Sequence, residues 1–376
     1  MKIFILPILV LSMTLVSNSQ TLPSENILHF YVGSYTDSGS EGIYRFGLNT
    51  TTGKLHSNGL AILSENPSYL ALTKDGNQLL SVRETRDANN KSMGYIELFN
   101  VDESGNLSSV NIVSSGGAHP CHVAVNEEGA VIASNYTEGN VTLMRIGQTG
   151  ELSEVLSADQ HTGKGPVAER QDKPHVHSAL FEPNGKRIFV ADLGIDQVKV
   201  YTIDKTAFSL KPYKYPEIKM APGSGPRHMA IHPNGKFLFI VNELSSNVSV
   251  VQLTPNGNFK ILETVSCLPV DYSQPNTCAD IHLSPDGNYL YASNRGMNTI
   301  AIFSVNGIDG KIKLIGHEDS KGEMPRNFTI SPSGDYILVA NQNTNNIVAF
   351  KRNPVTGLLN FTDQINAIKP VCLLFR

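Results

Sequence analysis

The chain has no tryptophan, and charged residues make up only 17% of its 376 positions, with a net charge of −4. No lysine- or arginine-rich stripe is present to neutralise phosphates, which excludes nucleic acid as an expected partner. Cysteine is sparse: Cys121, Cys267, Cys278 and Cys372 lack the paired spacing of a zinc site. There is no Gly-x-Ser-x-Gly elbow, no phosphate-cradling glycine loop and no metalloprotease helix motif. Beyond the N-terminus no stretch carries long helical periodicity, which excludes helical bundles and favours an all-β chain.

The one long apolar run is at the start, where Lys2 precedes IFILPILVLSMTLV and the small polar stretch SNSQ follows. It is shorter than the roughly 20 residues a membrane span needs and reads as a secretory signal peptide, residues 1–19. Residues 20–376 then form one domain, periplasmic or secreted and without stable membrane insertion; if the run is not a signal, the chain stays cytoplasmic. No cysteine adjoins the expected cleavage point, so a lipid anchor is not indicated. Export would permit a disulfide, and Cys267 and Cys278 are the nearest pair in sequence.

What the chain does have is a repeat. An apolar run, a turn with a glycine, a second apolar run and a small polar cluster recur as MAIHPNGKFLFIVNEL, IHLSPDGNYLYASNRG, ALFEPNGKRIFVADLG, FTISPSGDYILVANQN, VAVNEEGAVIASNYT and LALTKDGNQLLSVRET. The turn glycines Gly76, Gly129, Gly185, Gly235, Gly287 and Gly334 lie 53, 56, 50, 52 and 47 residues apart. Each unit holds four short strands, illustrated by 227–232, 236–242, 246–253 and 259–265, which is the signature of a β-propeller blade. Six full units begin near Pro67, Pro120, His175, Pro226, Cys278 and Pro325. Residues 29–36, 42–49 and 54–63 supply three strands of a seventh, and KPVCLLF at 369–375 supplies its missing first strand. Closing one blade with strands from both termini removes the edges an open ring would expose. The expectation is a seven-bladed propeller of four-stranded antiparallel blades, with 157–174 a surface loop that could cover a site.

A repeat lets residues be compared column by column. Eight positions before the turn glycine stand Ser68, Cys121, His177, Arg227, Ala279 and Arg326, and beside them Tyr69, His122, Ser178, His228, Asp280 and Asn327. The first strand of each blade is innermost, so these columns converge on one channel mouth. After the second strand an amide-rich column (Asn135, Asp192, Asn242, Asn294, Asn341) suits a structural role. The next position is irregular, with Glu84, Glu243 and Arg295. Mixed charges at a mouth suit a small anionic substrate, because guanidinium forks bind a carboxylate or phosphate with two hydrogen bonds. Glu243 or His177 could act as base toward a water, with an arginine at the oxyanion. Solvated ion pairs at a rim are the bland alternative. His175 and His177 alternate in HVHS and could face a metal, but no third ligand is evident, and no metal or cofactor is expected.

The segments GPRHMAIHPNGKFLFIVNELSSNVSVVQL, ADIHLSPDGNYLYASNRGMNTIAIFSV, HSALFEPNGKRIFVADLGIDQVKVYTI and MPRNFTISPSGDYILVANQ resemble the seven-bladed propeller lactonases, the family of propeller-type 6-phosphogluconolactonase and carboxymuconate cyclase. The resemblance covers residues 29–376. It implies hydrolysis of a sugar lactone to its aldonic acid, with His177, Arg227, Glu243 and Arg295 catalytic and Arg326 binding the anion; beside it, the residues at the channel mouth make His122, His175, His228 and Asp280 further candidates for binding substrate, and a monomer is expected. Glu243→Gln and Arg227→Ala would then abolish activity with little change in Tm. An exported chain sits awkwardly with a phosphorylated cytoplasmic intermediate, which leaves an unphosphorylated aldonolactone open. The rival reading is a noncatalytic envelope propeller that binds a sugar, peptide or protein. A calcium-dependent lactonase would need the Asn135, Asp192, Asn242 and Asn294 column as ligands.

Overall fold

Each repeat folds back at its turn glycine. Gly76, Gly129, Gly185, Gly235, Gly287 and Gly334 all have φ between +69° and +78°, the left-handed region that side chains with a Cβ rarely adopt. At Gly76, Gly185 and Gly235 an added Cβ would meet nothing within 4 Å, so backbone conformation rather than space demands glycine there. The Gly235 and Gly287 N–H groups donate to the His232 and Ser284 carbonyls at 2.8 Å, which closes the hairpin.

In this computed structural model, which describes residues 26–376 apart from 88 and 184, these hairpins build seven four-stranded antiparallel sheets. The signal-peptide reading lies outside the described residues. Blade 5 is typical: Pro226–Ile231, Phe237–Asn242, Asn247–Leu253 and Phe259–Ser266. The first strands of blades 2, 3, 4, 6 and 7 are Leu70–Leu72, Pro120–Val125, Val176–Phe181, Thr277–Leu283 and Pro325–Ile330. Blade 1 is closed by both chain ends, with Ile27–Ser34 pairing antiparallel to Pro370–Phe375 and Phe30 opposite Phe375.

The core lies between blades. Every residue of Phe237–Asn242 is buried, since Phe237, Phe239 and Val241 pack toward blade 6 while Leu238 and Ile240 pack toward blade 4. A strand covered on both faces reads as a nearly continuous apolar run, which is why alternation in the sequence is only partial.

Two features of the fold set up the site. The first strands of blades 3, 4, 5 and 7 each carry a bulge at the same place: Cys121, His177, Arg227 and Arg326 have no partner on the second strand, although both of their neighbours do. A bulge aims an extra side chain away from the ladder, and this column is the one that lies eight residues before the turn glycine. The second feature is residues 157–174, which depart from the expected surface loop. Ser157–Gln160 is the fourth strand of blade 3, and the strap that follows buries His161 and Gln171. Its polar composition hid this, because the buried groups are hydrogen-bonded: His161 Nδ1 lies 2.7 Å from Asp192 Oδ2 and Gln171 Nε2 donates to the Leu193 carbonyl at 2.8 Å. Cys267 and Cys278 lie in the core between blades 5 and 6 as free thiols.

Candidate active site

Glu243 follows the second strand of blade 5 and is fixed by its N–H to the Gly225 carbonyl at 2.7 Å. Its carboxylate is held by three guanidiniums. Oε2 lies 3.0 Å from Arg227 Nε and 2.9 Å from Arg295 Nη2, and Oε1 accepts from Arg170 Nη2 at 2.5 Å. The floor is rigid, because Arg227 Nη1 also donates to the Ala279 carbonyl at 2.5 Å and Arg295 Nη2 to that of Cys278 at 2.8 Å. Burial by itself would raise the Glu243 pKa, but Arg295, Arg227 and Arg170 overcome it and hold the carboxyl down to about 2. Arg227 responds in the opposite sense: burial, then Arg295 and Arg326, lower its pKa to about 10.

Across the mouth, blades 7, 1 and 2 form a second cluster. Arg326 Nη2 donates to Tyr35 Oη at 3.1 Å and its guanidinium lies 5.6 Å from the centre of that ring. Tyr35 Oη donates to Glu84 Oε1 at 3.3 Å, and Ser68 donates to the same oxygen. Burial pushes the Tyr35 phenol up to about 12. With Arg170, Arg227, Arg295 and Arg326 gathered against Glu243 and Glu84, the mouth is cationic.

A layer of rings adjoins the arginines. His177 lies 5.3 Å from His228 between ring centres, and His122 and Tyr69 lie 5.6 and 5.8 Å from His228. Burial, then Arg227 and His228, hold His177 well below its ordinary pKa, so the ring is neutral at pH 7, and its Nδ1 makes no hydrogen bond. His122 is lowered well below the ordinary range by burial and by His228. His228 falls to about 4 through burial and Arg227, although its Nδ1 lies 2.7 Å from Asp280 Oδ1. Asp280 also meets His282 Nε2 at 3.1 Å and Asn327 Nδ2 at 2.5 Å. A cavity of about 590 Å³ is lined by Tyr69, His122, His228, Asp280 and His282 but by none of the arginines or His177. The geometry thus splits the expected cluster. His177, Arg227, Glu243, Arg295 and Arg326 share the mouth, while His122, His228 and Asp280 line the channel beneath it.

His175 belongs to neither group. Its Nδ1 lies 3.1 Å from the Tyr136 carbonyl, its Nε2 lies 3.1 Å from Asp172 Oδ1, and its ring stacks on Tyr136 at 4.5 Å. It ties the base of the strap to blade 3 and does not face His177 across a common ligand. The amide column serves the blades: Asn135 Nδ2 donates to the Ser115 carbonyl, Asn242 Nδ2 to Asn247 Oδ1 and Asn294 Nδ2 to the Cys267 carbonyl. Among the described residues no three His, Cys, Asp or Glu side chains are grouped as a metal requires.

Sequence reasoning missed Arg170 and Tyr35 as members of the site. Arg170 lies in the strap, which has no counterpart in other repeats, so no column could mark it. Tyr35 ends the incomplete N-terminal unit. Glu84 stood out in its column without being assigned a role, and only the packing of blades 1, 2 and 7 gives it partners.

The family model for the seven-bladed β-propeller lactonases matches residues 29–375, and the chain belongs to that family. It is 35% identical over 301 residues to a 6-phosphogluconolactonase of Bacillus subtilis, covering 79% of this chain and 83% of the relative. It is 40% identical over 311 residues to a 6-phosphogluconolactonase of Formosa agariphila, covering 80% and 85%. The solved periplasmic gluconolactonase of Pseudomonas aeruginosa superposes with a TM-score of 0.88 at 29% identity, covering 93% of this chain and 99% of that one.

Proposed function

We propose that this chain hydrolyses a sugar lactone to its aldonic acid at the mouth formed by blades 4 to 6. The observation that carries the reading is a neutral, buried imidazole with an unpartnered Nδ1, His177, set beside guanidiniums whose charge Glu243 only partly offsets. Arg227 and Arg295 polarise the lactone carbonyl and stabilise the oxyanion that forms on it. His177 takes a proton from water as the water oxygen bonds to the carbonyl carbon, then returns it to the ring oxygen as the acyl–oxygen bond breaks. Glu243 is the weaker candidate for base because both of its oxygens are engaged by guanidiniums, whereas His177 Nδ1 is unpartnered. The role of Glu243 is to hold three like-charged guanidiniums together.

The basic, apolar start of the sequence and the periplasmic relative support export of the mature domain. The test is hydrolysis of gluconolactone and 6-phosphogluconolactone by wild type and His177→Ala. The variant is expected to lose on the order of 10²- to 10⁴-fold in kcat. Folded wild-type protein that opens neither lactone would sink the reading.

A further inference from the structure

We propose that Arg170 reads the far end of the lactone and favours substrates with an anionic tail, a phosphate ester or a carboxylate, over those ending in a neutral hydroxymethyl group. This rests on the lactone reading for the head of the substrate but adds a separate recognition element. The three arginines around Glu243 are not equivalent. The side chains of Arg227 and Arg295 are 2% and 7% exposed, whereas that of Arg170 is 38% exposed. The two buried ones are also fixed by backbone carbonyls. Arg170 approaches Glu243 from the solvent side through Nη2 alone, and among the described residues its Nε and Nη1 make no hydrogen bond. Guanidinium donors left free at the entrance can meet an oxygen of a phosphate or carboxylate, and such charge-assisted bonds are about twice as strong as neutral ones.

The fork is held in place. Gln171 is fully buried; its Nε2 donates to the Leu193 carbonyl at 2.8 Å and to Asp196 Oδ1 at 2.7 Å, and its Oε1 accepts from the Val167 N–H at 3.1 Å. Gly165 packs so closely on Gln171 that an added Cβ would lie 2.4 Å from its Oε1. The Arg170 and Gln171 N–H groups both donate to the Val167 carbonyl, at 2.9 and 2.7 Å. Of the neighbouring strap charges, Asp172 is directed to His175, and Lys173 Nζ to the Thr137 carbonyl at 2.6 Å. Arg170 is therefore a preset wall of the mouth, positioned to contact whatever lies outward of the reacting carbonyl.

Calorimetric titration of gluconate, glucarate and 6-phosphogluconate into wild type, Arg170→Ala and Arg170→Lys tests this without requiring turnover, with melting curves to establish that the variants fold. The expected result is that Arg170→Ala weakens glucarate, 6-phosphogluconate or both roughly ten- to hundredfold, at least tenfold more than it weakens gluconate, with Lys recovering part of the loss. Whichever of glucarate and 6-phosphogluconate wild type binds more tightly identifies the tail as carboxylate or phosphate. Equal weakening of all three acids would overturn the proposal, because Arg170 would then act only through Glu243. So would no change, or wild type that binds none of them. If wild type opens no lactone, the functional reading fails on that assay while the titrations still decide the role of Arg170.

Discussion

Glu243 and Asp280 are both fully enclosed carboxylates near the channel axis, and both are surrounded by cationic or donor groups, yet the two surroundings differ in kind. The partners of Glu243 are guanidiniums, which keep their charge at any ordinary pH. The partners of Asp280 are His228, His282 and Asn327, of which two titrate and one is neutral. His282 is the one imidazole described in that layer whose pKa rises, because Asp280 outweighs the effect of burial. One carboxylate therefore organises a permanently charged mouth, and the other ties the first strands of blades 5, 6 and 7 together around largely neutral rings. The contrast predicts that Glu243 governs chemistry and Asp280 governs assembly.

Glu243→Gln is the strongest challenge to this view. Removing the anion leaves three guanidiniums repelling one another, and kcat/KM is expected to fall on the order of 10²- to 10³-fold as the oxyanion donors lose alignment. Stability is expected to fall as well, by about 3–5 kcal/mol, since breaking a buried ion pair strands the remaining charge. Denaturant titration will check this. The figure replaces the expectation from sequence that Tm would hardly move. Asp280→Ala is expected to lose a similar amount of stability, about 3–5 kcal/mol, while folded protein retains most of its kcat. Loss of activity at unchanged Tm would erase the division of labour.

A pH titration sharpens the comparison further. Unfolded chain takes up a proton at His228 near its ordinary value of 6.5, whereas the folded protein does so only near about 4. Between these values the unfolded state holds more protons, so stability rises with pH across that window, with His228 contributing about 3 kcal/mol at most. Asp280, held below its ordinary 3.8 by His282 and His228 against the effect of burial, adds a slope only at lower pH. Melting curves from pH 4 to 6.5 should lose part of their slope in His228→Gln, the rest coming from His122 and His177, which burial also holds well below the ordinary value; an unchanged slope would show that His228 does not titrate in this window. The smallest effect is expected from Tyr35→Phe, which removes the hydroxyl bridging Arg326 and Glu84. A loss of about 1 kcal/mol is expected by denaturant titration, and a loss above ~3 kcal/mol would make that cluster as structural as the one around Asp280.

Much of this was legible before any coordinates. Turn glycines at a steady period required hairpins of four strands, and the leftover strands at the two ends could satisfy their edges only by pairing with each other, as Phe30 and Phe375 do. The bulge column, too, was visible as irregular residues at one register position. Arg170 was not, because comparison within a repeat says nothing about an insertion. Nor was the difference between Arg227 and His228, which are adjacent in sequence but lie in different layers because the bulge at Arg227 interrupts the alternation on which column reading depends.

The sequence by itself determined the ring and most of the residues that face its axis, since both follow from periodicity, turn chemistry and the need to bury apolar faces. Only the tertiary structure decided which of those residues meet. Electrostatic contacts depend on distance and burial: Glu243 became an anchor for guanidiniums when Arg170 arrived from the strap, and Asp280 became a tie between blades when His228, His282 and Asn327 closed on it. These contacts join positions as far as 73 residues apart in the chain, and no local pattern encodes them.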